Sequence, residues 1–136
     1  MKITWNDEWS VGIKEIDDQH KQFIELINNI YEAIEKGDFE KECCVSLDYF
    51  ANYALYHLST EEDYFEKFDY DKKEEHIVEH NNYRKEIGKW AASCPSSENR
   101  MQLLKEAADF STTWMIAHIL GSDRQYIKCF QENGVE

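Results

Sequence analysis

His57 to His80 reads HLSTEEDYFEKFDYDKKEEHIVEH and holds two spaced pairs, HxxxE in His57 and Glu61 and HxxxH in His76 and His80. Four residues of α-helix turn the chain by about 400°, so each pair shares one face with about one turn between its members. The stretch predicts two successive helices, each presenting two metal-ligand side chains on one side. Working outward, His118 and Asp123 form HxxxxD, and His20 stands alone upstream. Those are all five histidines of the chain. A series that uses every histidine reads as a metal site assembled from several helices.

Helical periodicity extends over the rest of the sequence. Ile16, Phe23, Ile27, Ile30 and Ile34 recur every three to four positions with His20 on the same stripe. Asp17 or Asp18 is the expected cap at its start, and Gly37 suits its stop. A second stripe runs from Leu47 and Phe50 through His57 and Glu61, and a third from His76 and His80 to Trp90. Beyond the only proline, Pro95, a fourth carries Leu104, Ser111, Trp114 and His118. The expected helices cover residues 17–36, 38–67, 70–91 and 97–119, with a tail helix over 122–131 holding Tyr126, Ile127 and Phe130. A non-periodic arm with Trp5 and Trp9 precedes them. Long helices on short links pack as antiparallel neighbours, so the predicted fold is all-α, an up-down-up-down four-helix bundle in one domain.

Composition narrows the function. A chain of 136 residues, 42% hydrophobic and 14% aromatic, can bury a globular core. Its net charge of −13 argues against nucleic acid, whose phosphates demand a basic footprint, and against anionic membrane surfaces. No apolar run reaches the roughly 18 residues of a spanning helix, and MKITWNDEWS lacks the apolar region of a secretory signal. A cytoplasmic location is expected. Cys43, Cys44, Cys94 and Cys129 show no CxxC, and adjacent Cys43 and Cys44 would pair only with strain. The expectation is reduced thiols in a reducing compartment.

The ligand-type residues fall on the apolar faces of all four helices. Burying five imidazoles and Glu61 against one another without an ion leaves an unpaired carboxylate, at a cost of several kcal/mol. A metal cluster uses those lone pairs instead. Asp123 is the exception to simple spacing: five residues of regular helix rotate by about 500°, pointing it some 140° away from His118. Both reach one site only if the helix loosens between them, and Gly121 lies in that interval. Seven ligands exceed one ion and fit two, with the carboxylates bridging. If Glu61 and Asp123 each bridge, five nitrogens and four oxygens give nine donor bonds, and an oxo or hydroxo bridge brings about eleven of the twelve that two six-coordinate ions need. With His76, His80 and His118 on one metal, the open position falls on the metal of His20 and His57.

With these residues in this order the sequence resembles the hemerythrins, particularly the single-domain bacterial ones. The resemblance runs through Trp9 to Phe23 (WSVGIKEIDDQHKQF), HLSTEED from His57, HIVEH from His76 and WMIAHILGSD from Trp114. It implies a four-helix bundle around a non-haem di-iron centre that binds O2 reversibly. His76, His80 and His118 would hold one iron, His20 and His57 the other, Glu61 and Asp123 would bridge, and O2 would bind at the two-histidine iron. Three positions depart from the family pattern, namely Met115, Phe65 and Phe23, where Leu, Met and Leu are usual. All are apolar swaps that bear on pocket shape rather than ligation. Trp114 is expected to pack beside the centre.

The ligand set leans to neutral histidine. Ferritin-like oxidases use four Glu and two ExxH motifs, whose anionic donors favour oxidised iron, and this chain has HxxxE instead. Reversible binding of O2 for carriage, storage or delivery is the expected function, without enzymatic turnover and with azide or similar anions as O2 analogues. The alternatives are an oxygen or redox sensor acting through a protein partner, or a slow di-iron oxidase, peroxidase or iron-handling protein.

Overall fold

The computed structural model describes residues 2–37, 39–40 and 43–136. Among these described residues five α-helices follow in order: α1 (Lys14–Lys36), α2 (Cys44–Lys67), α3 (Lys73–Ser93), α4 (Arg100–His118) and α5 (Arg124–Glu132). A π-helical segment, Ile119–Asp123, joins α4 to α5. Short 3₁₀ turns lie at Asp7–Trp9 and Cys94–Ser96, and the described residues contain no strand.

Cross-helix pairs give the topology. Moving up α1 from Glu15 through Gln19 and His20 to Phe23, the partners on α2 descend from Tyr64 through Thr60 and His57 to Phe50. The same inverse order links α3 to α4, where His80 faces His118 and Tyr83 faces Ser111. Between α2 and α3 the order is inverse as well, Glu62 meeting His80 and Phe65 meeting His76, so α1, α2, α3 and α4 run alternately up and down. The chain is all-α, with α1 packed on α2 and α4, and α3 packed on α2 and α4.

Local chemistry sets the ends. Gly37 closes α1 in the left-handed conformation at φ 71°, where its N–H donates to the Ile34 carbonyl. The expected cap at Asp17 or Asp18 is corrected: α1 begins at Lys14 after Ile13, which makes no side-chain cap bond. Asp17 instead folds back to accept the Val11 N–H at 2.9 Å and the Ser10 hydroxyl, tying the arm to the first turn. Asn28 holds the arm further along, exchanging two 2.8 Å hydrogen bonds with the Ile3 backbone. The expected start of the second helix at residue 38 lies outside the described residues.

One apolar core fills the bundle. Ile16, Phe23, Ile27, Leu47, Phe50 and Leu104 are buried in it, and Tyr126 and Phe130 of α5 close the end near the histidines. Phe130 lies over Phe65 and Tyr64 at ring distances of 5.9 and 5.1 Å. No helix among the described residues is long and apolar enough to cross a membrane.

The cysteine expectation is overturned. Cys44, at the first position of α2, and Cys94, just past α3, form a disulfide across Cα atoms 5.9 Å apart. Irregular sequence spacing had argued against pairing, but antiparallel helices bring the start of one beside the end of the next. With Cys44 and Cys94 paired, cysteine usage no longer points to a reducing compartment.

Candidate metal centre

All seven predicted residues converge in the bundle interior. His20 comes from α1, His57 and Glu61 from α2, His76 and His80 from α3, His118 from the last position of α4, and Asp123 from the end of the π segment. Every one is buried, with Glu61, His80 and Asp123 fully so. The expected loosening between His118 and Asp123 is present as the π-helix at Ile119–Asp123. A wider turn brings Asp123 Oδ1 to 3.1 Å from His118 Nε2, where a regular helix would have turned it away. Gly121 needs no positive φ there, and a Cβ at that position meets nothing within 4 Å.

The carboxylates divide their oxygens between two groups of imidazoles. Glu61 Oε1 lies 3.1 Å from His80 Nε2 and 3.5 Å from His76 Nε2. Its Oε2 lies 3.5 Å from His57 Nε2 and 3.9 Å from His20 Nε2. Asp123 repeats the division: Oδ1 is 3.1 Å from both His76 and His118, and Oδ2 is 3.4 Å from His20. Within each group the ring nitrogens also crowd together, at 3.1 Å for His20–His57 and 3.1 Å for His80–His118.

Unpaired polar atoms identify what fits. Glu61 Oε1, both Asp123 oxygens and His76 Nε2 are buried and make no hydrogen bond. Native interiors rarely leave such groups unmatched. Atoms that close in space yet do not bond one another are aimed at a common point. The donors all lie within 4.8 Å of one another in each of two sets, His76, His80, His118, Glu61 and Asp123 in one, and His20, His57 and Glu61 in the other. Imidazole nitrogen with carboxylate oxygen is a donor chemistry suited to iron.

Electrostatics agree. Burial pushes the His57 ring down to about 4, keeping it neutral. Burial also opposes charge on His76, but the neighbouring carboxylates of Asp123 and Glu61 outweigh it and raise the ring to about 9. Burial and the neighbouring Asp123 push the Glu61 carboxyl up, yet the surrounding imidazoles hold it well below the usual carboxylate range. Protons on His76 here play the part that a cation would play for the paired carboxylates.

An outer layer orients the rings, and sequence spacing had not singled it out. His57 Nδ1 meets Gln19 Oε1 at 2.7 Å, and Gln19 is fixed in turn by Thr60 at 3.3 Å. His80 Nδ1 meets Glu62 Oε2 at 2.7 Å, and Arg84 grips Glu62 through two bonds of 2.7 and 2.9 Å. His118 Nδ1 lies 3.3 Å from Glu79. An acceptor at Nδ1 fixes the tautomer that leaves the Nε2 lone pair facing inward. Gln19, Glu62 and Glu79 each sit next to a ligand in sequence, and that adjacency was the only signal available. Trp114 stacks on His118 at 4.3 Å, meeting the expectation that it packs beside the centre. Phe65 lies 4.7 Å from His76 and Phe23 6.3 Å from His57, so two of the departures from the family pattern do border the site. Met115 is buried on α4.

The Hemerythrin HHE cation binding domain matches residues 11–130. The chain belongs to the hemerythrin family. Among its relatives, the bacteriohemerythrin of Clostridium acetobutylicum is 32% identical over 131 residues, covering 92% of this chain and 98% of that protein. The bacteriohemerythrin of Pseudomonas aeruginosa strain PAO1 is 25% identical, covering 92% and 79%. A crystal structure of wild-type hemerythrin superposes with a TM-score of 0.83 over 95% of this chain and 98% of that one, at 22% identity. The buried cluster of histidines and carboxylates is thus a metal-binding site of hemerythrin type, suited to iron.

Proposed function

We propose that this hemerythrin holds two irons and binds O2 reversibly for carriage, storage or delivery. His76, His80 and His118 would hold one iron, His20 and His57 the other, and Glu61 and Asp123 would bridge them. The observation that carries this reading is the division of carboxylate oxygens: Glu61 and Asp123 each turn one oxygen to the three-histidine group and the other to the two-histidine group. Two ions held between these carboxylates would use every unpaired carboxylate oxygen there.

A bound iron pair supplies the two electrons that reversible O2 binding requires. The chain contributes the rest. With three imidazoles on one iron against two on the other, the open coordination position would fall beside His20 and His57. Phe23 is buried on that flank, 6.3 Å from the His57 ring, and an apolar wall there withholds water and protons that would make the reaction irreversible. The neutral ring of His57 and the scarcity of anionic donors favour release over further oxidation.

Elemental analysis of iron-matured protein should find two irons per chain, with a ferric oxo-bridged absorption spectrum. The deoxygenated protein should cycle repeatedly with O2, and azide should perturb only one iron. One metal per chain would overturn the two-ion assignment. Sustained consumption of O2 with a reductant would replace carriage by an oxidase.

A further inference from the structure

We propose that Cys43, Cys44 and Cys94 form an internal thiol–disulfide exchange site, through which an external dithiol opens the link between α2 and α3. The three sulfurs lie within 4.8 Å of one another. They sit at the end of the bundle away from the metal centre, about 20 Å from His57 by the rise of α2. The proposal therefore does not depend on iron.

Access differs among the three. Cys44 and Cys94 are disulfide-bonded and buried, at 3% and 0% exposure, so an external thiol cannot line up on either sulfur. Cys43 is half-buried and carries its thiol outside that bond. Once the Cys43 side chain turns into line with the Cys44–Cys94 bond, its thiolate attacks Cys94 Sγ: the Cys43–Cys94 bond forms, the Cys44–Cys94 bond breaks, and Cys44 leaves as the thiolate and takes up the proton that Cys43 gave up. The step is an isomerisation, with no net oxidation. Attack on Cys44 would join adjacent residues in a strained link, so Cys94 is the productive target. The departing Cys44 lies at the first position of α2, where the aligned peptide dipoles present their positive end and no side chain caps it.

Exchange moves one end of the disulfide onto the partly exposed Cys43. There an external dithiol can reach it: the dithiol is oxidised to its own disulfide, and Cys43 and Cys94 are reduced to thiols. Exchange kinetics then depend on Cys43 although Cys43 is outside the resting bond.

The test uses the full chain with Cys129→Ser, removing the one thiol outside the cluster. Samples equilibrated in a glutathione buffer are quenched in acid, alkylated and mapped by mass spectrometry. Both Cys44–Cys94 and Cys43–Cys94 linkages are expected, and Cys44→Ser should still form Cys43–Cys94. Cys43→Ser and Cys43→Ala should each slow reduction by dithiothreitol at least tenfold. Serine is a favourable N-cap and alanine is not, so agreement between them separates exchange from helix stabilisation. Reduction of both Cys43 variants at the parent rate overturns the proposal, as does a Cys44→Ser chain whose thiols remain fully alkylated.

Discussion

Tyr126 of α5 donates its hydroxyl to Glu61 Oε2 of α2 at 2.7 Å, with both side chains fully buried. The tail helix thereby reaches into the centre and holds one carboxylate in the orientation that divides its oxygens. Burial first, and then the Asp123 and Glu61 carboxylates, raise the phenol well above its usual range, so it stays a donor. Replacing Tyr126 with Phe keeps the ring packing and removes one hydrogen bond to a charged group. Urea unfolding should show a loss of about 1.5–3 kcal/mol, and iron content should be retained.

Glu62 acts on the centre through His80. Burial alone would raise its carboxyl, but the bonds from His80 and Arg84 hold it below the usual range. Glu62→Gln removes the anion that orients the imidazole. Iron affinity, measured by chelator competition, should fall roughly 10–100-fold. Arg84→Met should show a smaller effect in the same direction, because Glu62 then loses its clamp but His80 keeps its acceptor.

Gly121 lies inside the π segment but does no conformational work there. Its Cβ space is open and its φ is not positive. Gly121→Ala should keep the metal content and raise stability by about 0.4–1 kcal/mol, mainly by restricting the unfolded chain. A lower melting temperature with iron loss would show that the wide turn needs glycine.

The metal-free chain should be most stable near pH 6.5. His57 is depressed to about 4, so between pH 6.5 and 4 the unfolded state binds a proton that the folded state refuses, and stability falls as pH drops. His76 is raised to about 9, so its contribution is complete below pH 6.5 and is lost as pH rises toward 9. Urea midpoints across pH 4–9 should trace that maximum, and His57→Gln should flatten the acid side alone.

The disulfide closes a loop between residues 50 apart in sequence. Under denaturing titration, reduced protein should be about 2–4 kcal/mol less stable than oxidised protein, because the open chain regains loop freedom when unfolded. Iron content should not change, since the link lies at the other end of the bundle.

Much of this was legible in the residues themselves. HxxxE in His57 and Glu61 and HxxxH in His76 and His80 needed only helical periodicity, because each pair lies on one face whatever the neighbours do. Gly37 marked the end of α1 for an equally local reason. The non-integral spacing of His118 and Asp123 demanded a loosened helix, and the π segment at Ile119–Asp123 is that loosening. A spacing rule reports such a conflict as surely as an agreement.

What lay beyond the sequence depended on residues far apart in the chain. Asp17 turned back to the arm rather than capping α1, because the Val11 N–H and the Ser10 hydroxyl lie within its reach only after folding. Cys44 meets Cys94, Glu62 meets Arg84 and Tyr126 meets Glu61 through the antiparallel register, which no local period encodes. Sequence determined the helices, their ligand-bearing faces and the kind of metal chemistry, because backbone geometry alone decides which side chains share a face. Tertiary structure decided which oxygen faces which histidine, what holds each ring and which cysteines pair, because those depend on distances that packing alone creates.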